Sequence, residues 1–382
     1  MACAISAPRP DGSSTSRTST SRPNPRCATR GACRGTSRAP RSGNRCADRR
    51  VKLLVTGGSG FIGSNFVRHV LATHPGDSVV NLDKLTYAGN PANLADVAHD
   101  PRYAFVQGDV CDAKLVRDVA RAVDAVINFA AESHVDRSLM EPDAFLKTDV
   151  FGVFTLLEAV KDLGIPRFVH ISTDEVYGSV ERGSSRESDP LRPSNPYSAS
   201  KASGDLLALA YWQTHRIPVL ITRSSNNFGP YQYPEKVVPL FITNALEDKP
   251  LPLYGDGKNV RDWLYVLDNC SAIDLVLRQG KDGEVYNIGG GNEVENVVLT
   301  RQILRLAGKP DSLIQPVKDR PGHDRRYSLD SKKVQQLGWK PGHPFAAALQ
   351  ATVAWYREHE SWWRPLKSGE FRAYYERQYG HR

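Results

Sequence analysis

The chain has no run approaching the about 18 consecutive apolar residues that a membrane-spanning helix needs. Cysteine is scarce as well. Cys3, Cys27, Cys33 and Cys46 lie in the first fifty residues, which leaves Cys111 and Cys270 for all the rest. Two isolated thiols in a body of 332 residues exclude a disulfide framework and indicate a reducing compartment, so a cytoplasmic protein is expected. The tail cysteines form no CxxC pair and have no His among them, so no metal is expected. A surplus of one charge is missing too, once the tail is set aside. Residues 1–50 hold eleven Arg, no Lys and two Asp, which makes +9 against +8 for the whole chain, so the remaining 332 residues sum to −1. That excludes the basic footprint of a nucleic-acid-binding domain. Neither nucleic acid nor membrane is expected as a partner.

Residues 1–50 are rich in Ser, Thr, Arg, Pro and Gly and nearly devoid of large apolar residues. Such a segment cannot offset its ordering entropy, so it reads as disordered. Its Arg-rich, acid-poor composition matches a transit peptide, but the amphipathic face of one is missing. Val51-Lys52-Leu53-Leu54-Val55 reads as a natural start, which makes the extension non-native in this reading; the intact mass from the native host would decide. Beyond it, 40% apolar and 24% charged residues fit a soluble protein with a real core, in one large domain or two ordinary ones.

Lys52 to Thr56 is a short apolar run that leads into Gly57-Gly58-Ser59-Gly60-Phe61-Ile62-Gly63. Phe61, Ile62, Phe66, Val67 and Val70 then recur at helical spacing. In a strand–turn–helix the glycines allow the tight turn, close approach to a pyrophosphate and close helix–strand packing, and the helix N-terminus meets the phosphate charge. Asp83, twenty residues after Gly63, ends the apolar strand Val79 to Leu82, where a carboxylate can take ribose hydroxyls and repel a 2′-phosphate. NAD is therefore favoured over NADP, although Lys84 beside Asp83 carries the opposite charge. Further strands at Tyr103 to Gln107, Ala125 to Asn128 and Phe168 to Ile171, with a helix over Ala144 to Leu163, predict an α/β fold with a Rossmann-type, doubly wound parallel sheet. Ligands of such sheets collect at the C-terminal strand ends. That places Asp109 and Val110 near an adenine, and Ala130-Ala131-Glu132-Ser133-His134 near a ribose and substrate. For Glu132 and His134 a loop hydrogen-bond network is the alternative.

The densest chemistry lies at His170-Ile171-Ser172-Thr173-Asp174-Glu175-Val176-Tyr177-Gly178 and Tyr197-Ser198-Ala199-Ser200-Lys201. An apolar strand runs into a hydroxyl and two carboxylates, and a Tyr–Lys pair follows one helical turn apart. These are more proton-handling groups than a redox step needs. An acidic dipeptide is commonly a solvated turn, and YxxxK alone is commonly a helical surface pair; their position after a buried strand and beside the Gly-rich turn argues for a site.

These motifs resemble the extended short-chain dehydrogenase/reductases from Val51 to about Gly380. The carriers are TGGxGFIG at Thr56–Gly63, LDKLTYAGN at Leu82–Asn90, AAESHVDRS at Ala130–Ser138, STDEVYG at Ser172–Gly178 and YSASKAS at Tyr197–Ser203. The Asp-Glu pair makes the chain most similar to the dTDP-glucose 4,6-dehydratase family. Related 4-epimerases have small or hydroxyl residues there, and decarboxylases keep the Glu after Thr or Ser. The second half agrees, at Ser225–Pro239, Leu251–Val266, Tyr286–Asn296 and Asp319–Asp330.

The resemblance implies an NAD-dependent hydro-lyase acting on dTDP-glucose by C4 oxidation, loss of water across C5 and C6, and hydride return to C6. Tyr197 would take the C4 hydroxyl proton, with Lys201 favouring the tyrosinate and Thr173 positioning the oxygen. Glu175 would be the base at C5 and Asp174 the acid at C6. The implied cofactor residues are Gly57, Gly60, Phe61, Ile62, Gly63, Asp83, Lys84, Leu85, Thr86, Asp109, Val110, Phe129, Ala130, Ala131, Glu132, Ser133, Thr148, Tyr197, Lys201 and Asn227. The implied substrate residues are Ser133, Thr173, Asn226, Lys236, Val237, Pro252, Leu253, Tyr254, Arg261, Asn296, Arg320, Pro321, Gly322 and His323. Arg261 and Arg320 suit a diphosphate, with surface ion pairs as the alternative, and Tyr254 suits a base or a core equally.

The family architecture implies a mainly NAD-binding domain over 51–224 and a smaller, interleaved α/β sugar-nucleotide domain over 225–382. It also implies a homodimer, for which the helix Ala144–Leu163 and the helix after Tyr197 are candidates. Two departures stand out. Leu267-Asp268-Asn269-Cys270 replaces an acid–His pair at little expected cost, and Phe371 stands where relatives have a substrate-side Tyr, for which Tyr374 or Tyr375 could substitute. The rival readings are a nucleotide-sugar 4-epimerase or decarboxylase on the same scaffold, and a non-enzymatic NAD-sensing regulator, against which the Tyr197–Lys201 pair argues.

Overall fold

Among the described residues, twelve strands carry the architecture: β1 Lys52–Thr56, β2 Ser78–Asp83, β3 Tyr103–Gln107, β4 Ala125–Asn128, β5 Phe168–Thr173, β6 Val219–Ser224, β7 Asn226–Phe228, β8 Leu251–Tyr254, β9 Val260–Tyr265, β10 Val285–Ile288, β11 Glu293–Glu295 and β12 Ile314–Val317. The computed structural model describes residues 50–319 and 322–379. The readings of residues 1–49, and of Arg320 and Pro321, lie outside the described residues.

Seven strands form one parallel sheet in the order β10-β6-β5-β4-β1-β2-β3. Helices cover both faces, so the central strands are buried on both sides and read as continuous apolar runs; Leu53, Leu54 and Val55 of β1 are wholly buried. Strand order reverses between β1 and β4, which opens a crevice at their C-terminal ends. The sheet's last strand, β10, comes from the second half of the chain and pairs with β6. A three-stranded sheet, β11-β9-β7, and a two-stranded one, β12-β8, lie beside a separate apolar cluster that includes Phe228, Phe241, Trp263, Tyr356 and Trp363.

The helix expected over Ala144 to Leu163 starts earlier and is not uniform. Pro142–Phe145 and Val153–Leu163 are α-helical, while Leu146–Gly152 between them has the wider π spacing. The physical reason lies inside that turn. Asp149 is aimed inward, where it accepts from Glu132 N at 3.0 Å and Ser200 Oγ at 2.7 Å, and such bulges are frequent at functional sites. Among the described residues no helix is long and apolar enough to cross a membrane.

Candidate active site

The Gly-rich turn comes first. Gly57 has φ +70°, and a Cβ there would sit 2.6 Å from Ala130 N, so the strand end of β1 and the loop after β4 touch because the residue is glycine. The helix Phe61–Thr73 begins at Gly60 with no side-chain cap, which leaves its first N–H groups facing the crevice. At the end of β2, Asp83 takes Ser59 N and Leu85 N, each at 2.8 Å, one on each carboxylate oxygen. Burial pushes its pKa up against those two donors. Lys84 is paired with Asp109 at 2.7 Å.

The strand β5 ends at Thr173, and its C-terminal turn answers how neighbouring carboxylates can serve one cavity. Thr173 Oγ1 accepts from Glu175 N at 3.2 Å and caps a tight 3-10 turn, Asp174–Tyr177. Outside strand geometry the side chains of Asp174 and Glu175 no longer alternate across a sheet, and both line the same cleft. Asp174 is 3% exposed. Burial, then the neighbouring Glu175 charge, holds its carboxyl well above the usual carboxylate range, although Arg261 opposes them. Its Oδ1 accepts from Thr173 Oγ1 at 3.2 Å, and its Oδ2 has no protein partner.

Facing this turn is the helix Pro196–His215, started by a capping box in which Asn195 and Ser198 exchange bonds. It brings Tyr197 and Lys201 to the cleft floor. Lys201 Nζ donates to Ile171 O at 2.7 Å. Burial lowers its pKa, with Asp149 and Asp205 pulling the other way. Burial, then the charges of Glu175 and Asp149, push the Tyr197 phenol well above its ordinary value, against a hydrogen bond with Thr173. Two acids near the same floor are also shifted by burial: Glu132 to about 7, helped by Asp149, and Asp149 itself to about 6.

One cleft gathers Gly57, Gly60, Phe61, Ile62, Gly63, Asp83, Lys84, Thr86, Asp109, Val110, Phe129, Ala130, Ala131, Glu132, Ser133 and Thr148 with Thr173, Asp174, Glu175, Tyr197, Lys201 and Asn227. A second cavity continues from it. Glu175, Asn226, Glu235 and Lys236 line both. Around the second lie Val237, Pro252, Leu253, Tyr254, Arg261, Asn296 and His323. The Oδ1 atoms of Asn226, Asn227 and Asn296 are buried with no protein partner, as expected of a wall that holds a polar ligand. A floor of glycine backbone, a bare helix N-terminus and a ribose-type carboxylate fit a dinucleotide.

The comparisons follow this geometry. Residues 54–352 match the family model described as GDP-mannose 4,6 dehydratase. A dTDP-glucose 4,6-dehydratase of Streptomyces niveus is 53% identical over 323 residues, covering 83% of this chain and 96% of the relative. One from Shigella flexneri is 47% identical over 358 residues, covering 86% and 99%. The chain belongs to the dTDP-glucose 4,6-dehydratase family. Among solved structures, the dTDP-glucose 4,6-dehydratase DesIV of Streptomyces venezuelae, with NAD bound, aligns with a TM-score of 0.82 at 55% identity, over 83% of this chain and all of that one. A UDP-glucose 4-epimerase of Thermus thermophilus, also with NAD, reaches 0.75 at 32% identity over 81% and 99%.

Within this dehydratase-family chain three expected residues behave differently. Leu85 does not line the cleft; at φ +58° it turns the backbone so that its N–H holds Asp83. Gly322 is exposed and lines neither cavity. Phe371 is buried in the apolar cluster against Tyr233, and neither Tyr374 nor Tyr375 lines the second cavity; Tyr379 does, eight residues on. Nothing local to the sequence marks Tyr379, because the helix that carries it reaches the cavity through tertiary packing. Glu235, Tyr327 and Asp149 were missed as well. Glu235 accepts from Tyr87 at 2.9 Å and from Arg137 at 3.1 Å, and Tyr327 reaches Glu175 Oε2 at 3.5 Å. Arg261 lies over the Tyr327 ring at 4.3 Å and donates to Asp324 O and Val260 O. Asp268, in the departing segment, accepts from Gly342 N and His343 and so anchors the chain there.

Proposed function

We propose that the chain converts dTDP-glucose to dTDP-4-keto-6-deoxyglucose and water, with the proton work divided among five residues. The observation that carries the reading is a buried carboxyl, Asp174, whose pKa burial and its neighbour push upward, next to the more exposed Glu175 in a cleft shared with Tyr197, Lys201 and Thr173. The C5–H is too weak an acid until C4 is a ketone. Tyr197 takes the C4 hydroxyl proton as its tyrosinate, the form that the positive charge of Lys201 favours against the burial that raises the phenol, and Thr173 holds that oxygen. Glu175 then removes the C5 proton, and Asp174 gives its proton to the leaving C6 hydroxyl, which departs as water. NAD, when bound, would supply the hydride acceptor for the oxidation and the hydride donor for the last step, in which C6 gains that hydride and C5 regains a proton from Glu175. The Gly57–Gly63 turn and Asp83 would hold it, and the Lys84–Asp109 pair leaves that lysine's charge already matched, which supports NAD over NADP.

A 4-epimerase needs no more than the Tyr–Lys–Thr set, and the two carboxylates would then have no task. Mass analysis after incubation with dTDP-, UDP-, CDP- and GDP-hexoses tests the reading: loss of water from dTDP-glucose is expected, whereas an unchanged mass or loss of carbon dioxide would overturn it. In heavy water the product should carry deuterium at C5.

The assembly that goes with this reading is a homodimer, in the cytoplasm. Leu146, Phe151 and Leu206 are 57%, 53% and 58% exposed on the two helices named above, with Leu139, Met140 and Phe154 also exposed nearby in sequence. Apolar side chains so exposed suit a second copy of the chain. Sedimentation should find a dimer, and Phe151→Glu with Leu206→Glu should yield monomer.

A further inference from the structure

The two halves of the chemistry sit on different elements. Tyr197 and Lys201 ride on the helix Pro196–His215, and Asp174 and Glu175 on the turn Asp174–Tyr177. Behind the cleft one side chain holds both. Arg223 of β6 is 2% exposed; its Nε donates to Asp205 Oδ2 at 2.8 Å and its NH1 to the Tyr177 hydroxyl at 2.7 Å. Asp205 is wholly buried and lies one helical turn beyond Lys201. Tyr177 is the last residue of the acidic turn. Its hydroxyl donates to Asn287 Oδ1 at 2.8 Å, and Asn287 Nδ2 is held by Ser185 O at 3.0 Å. The guanidinium also lies over the Tyr177 ring at 4.8 Å, and Val176, Tyr177 and Ala202 pack together beside it.

A buried ion pair adds little stability over an apolar filling, but its planar, rigid fork fixes the directions of what it holds. Here it holds the middle of one catalytic element and the end of the other. We propose that the Asp205–Arg223–Tyr177 chain sets the spacing between the Tyr197–Lys201 pair and the Asp174–Glu175 pair, with Tyr177 a positioning residue for water elimination. Tyr177 lines neither cavity, so it acts through Asp174 and Glu175. Oxidation at C4 depends on the helix. Elimination depends on where the turn stands relative to it. The inference rests on the dehydratase reading.

The test is single-turnover kinetics of the full chain with NAD bound, mixed with dTDP-glucose. Absorbance of reduced nicotinamide follows oxidation, and mass loss together with C5 deuterium follows elimination. Tyr177→Phe keeps the ring and removes the hydroxyl. It is expected to oxidise at close to the wild-type rate with KM unchanged, while elimination slows about 10- to 100-fold and reduced cofactor accumulates. Asn287→Ala removes the acceptor that aims the hydroxyl, leaves the ion pair in place, and should give the same split. Both steps slowing in proportion, or neither slowing, in these variants overturns the proposal while leaving the dehydratase reading standing. If the wild-type protein itself releases no water, that reading falls, and the proposal with it.

Discussion

Asp174 and Glu175 are adjacent in the chain and chemically alike, so their difference has to come from environment. Asp174 is enclosed, with burial and its neighbour's charge both favouring the neutral acid. Amides keep the shape and remove the proton chemistry, so Asp174→Asn with Glu175→Gln should still oxidise C4 and then stall, with product formation down at least about 100-fold. Dehydration at the normal rate would contradict the roles given to the pair. Glu132 offers a second test. Its folded-state value of about 7 lies above the ordinary 4.5, so the native chain keeps a proton that the unfolded chain releases. The stability linked to that proton is complete at acid pH below the unfolded value and is lost as pH rises through about 7. Glu132→Gln removes the loss. Above neutrality the variant should be the more stable, by at most about 3 kcal/mol, in thermal melts run across that range. At this scale the residues proposed for catalysis were legible because Asp174, Glu175, Tyr197 and Lys201 stand in local motifs, and the structure brings them to one cleft. Tyr379 and Glu235 were not, since each reaches the site through a fold contact with no local signature.

The helix Pro196–His215 was legible from its Tyr–Lys spacing, and its start can be read in Asn195-Pro196 as well. The side chain of Asn195 accepts from Ser198 N at 2.9 Å, and Ser198 Oγ accepts from Asn195 N at 3.2 Å. Asn195→Ala should cost about 1 kcal/mol of stability in denaturant titration. Tyr197 is two residues from the cap, so kcat should fall along with it while NAD binding, which rests largely on the first strands, changes little. Unchanged kcat would mean that the packed helix holds Tyr197 without its cap. The helix over 142–163 was legible as a helix but not as a bulged one. A π turn has no composition of its own. It arises because Asp149 is drawn inward to Ser200 and Glu132, and the sequence at 146–152 shows no break in its apolar spacing.

Across the whole molecule, the chain returns twice to the site from far along its length. β10 completes the parallel sheet from the second half, and the helix Glu370–Tyr379 reaches back to the short helix Val135–Met140 that follows β4. There Asp136 accepts from Tyr254 at 3.0 Å, Tyr374 at 3.3 Å and Gln378 at 2.9 Å, and Tyr379 closes on Tyr254 at the second cavity. The doubly wound sheet was legible from alternating strands and helices; this closure was not, because it joins residues more than 230 apart through one buried carboxylate. It also predicts a separation of functions. The Gly-rich turn and Asp83 lie in the first cleft, and the Asp136 cluster borders the second. Tyr374→Phe with Gln378→Ala removes two donors from a buried charge, and each such bond is worth about 1.5–3 kcal/mol. The second cavity should loosen while the first is untouched, so KM for the nucleotide sugar should rise about tenfold or more, with kcat and NAD affinity near wild type. A fall in NAD affinity of the same size would mean that the two cavities are one mechanical unit rather than two.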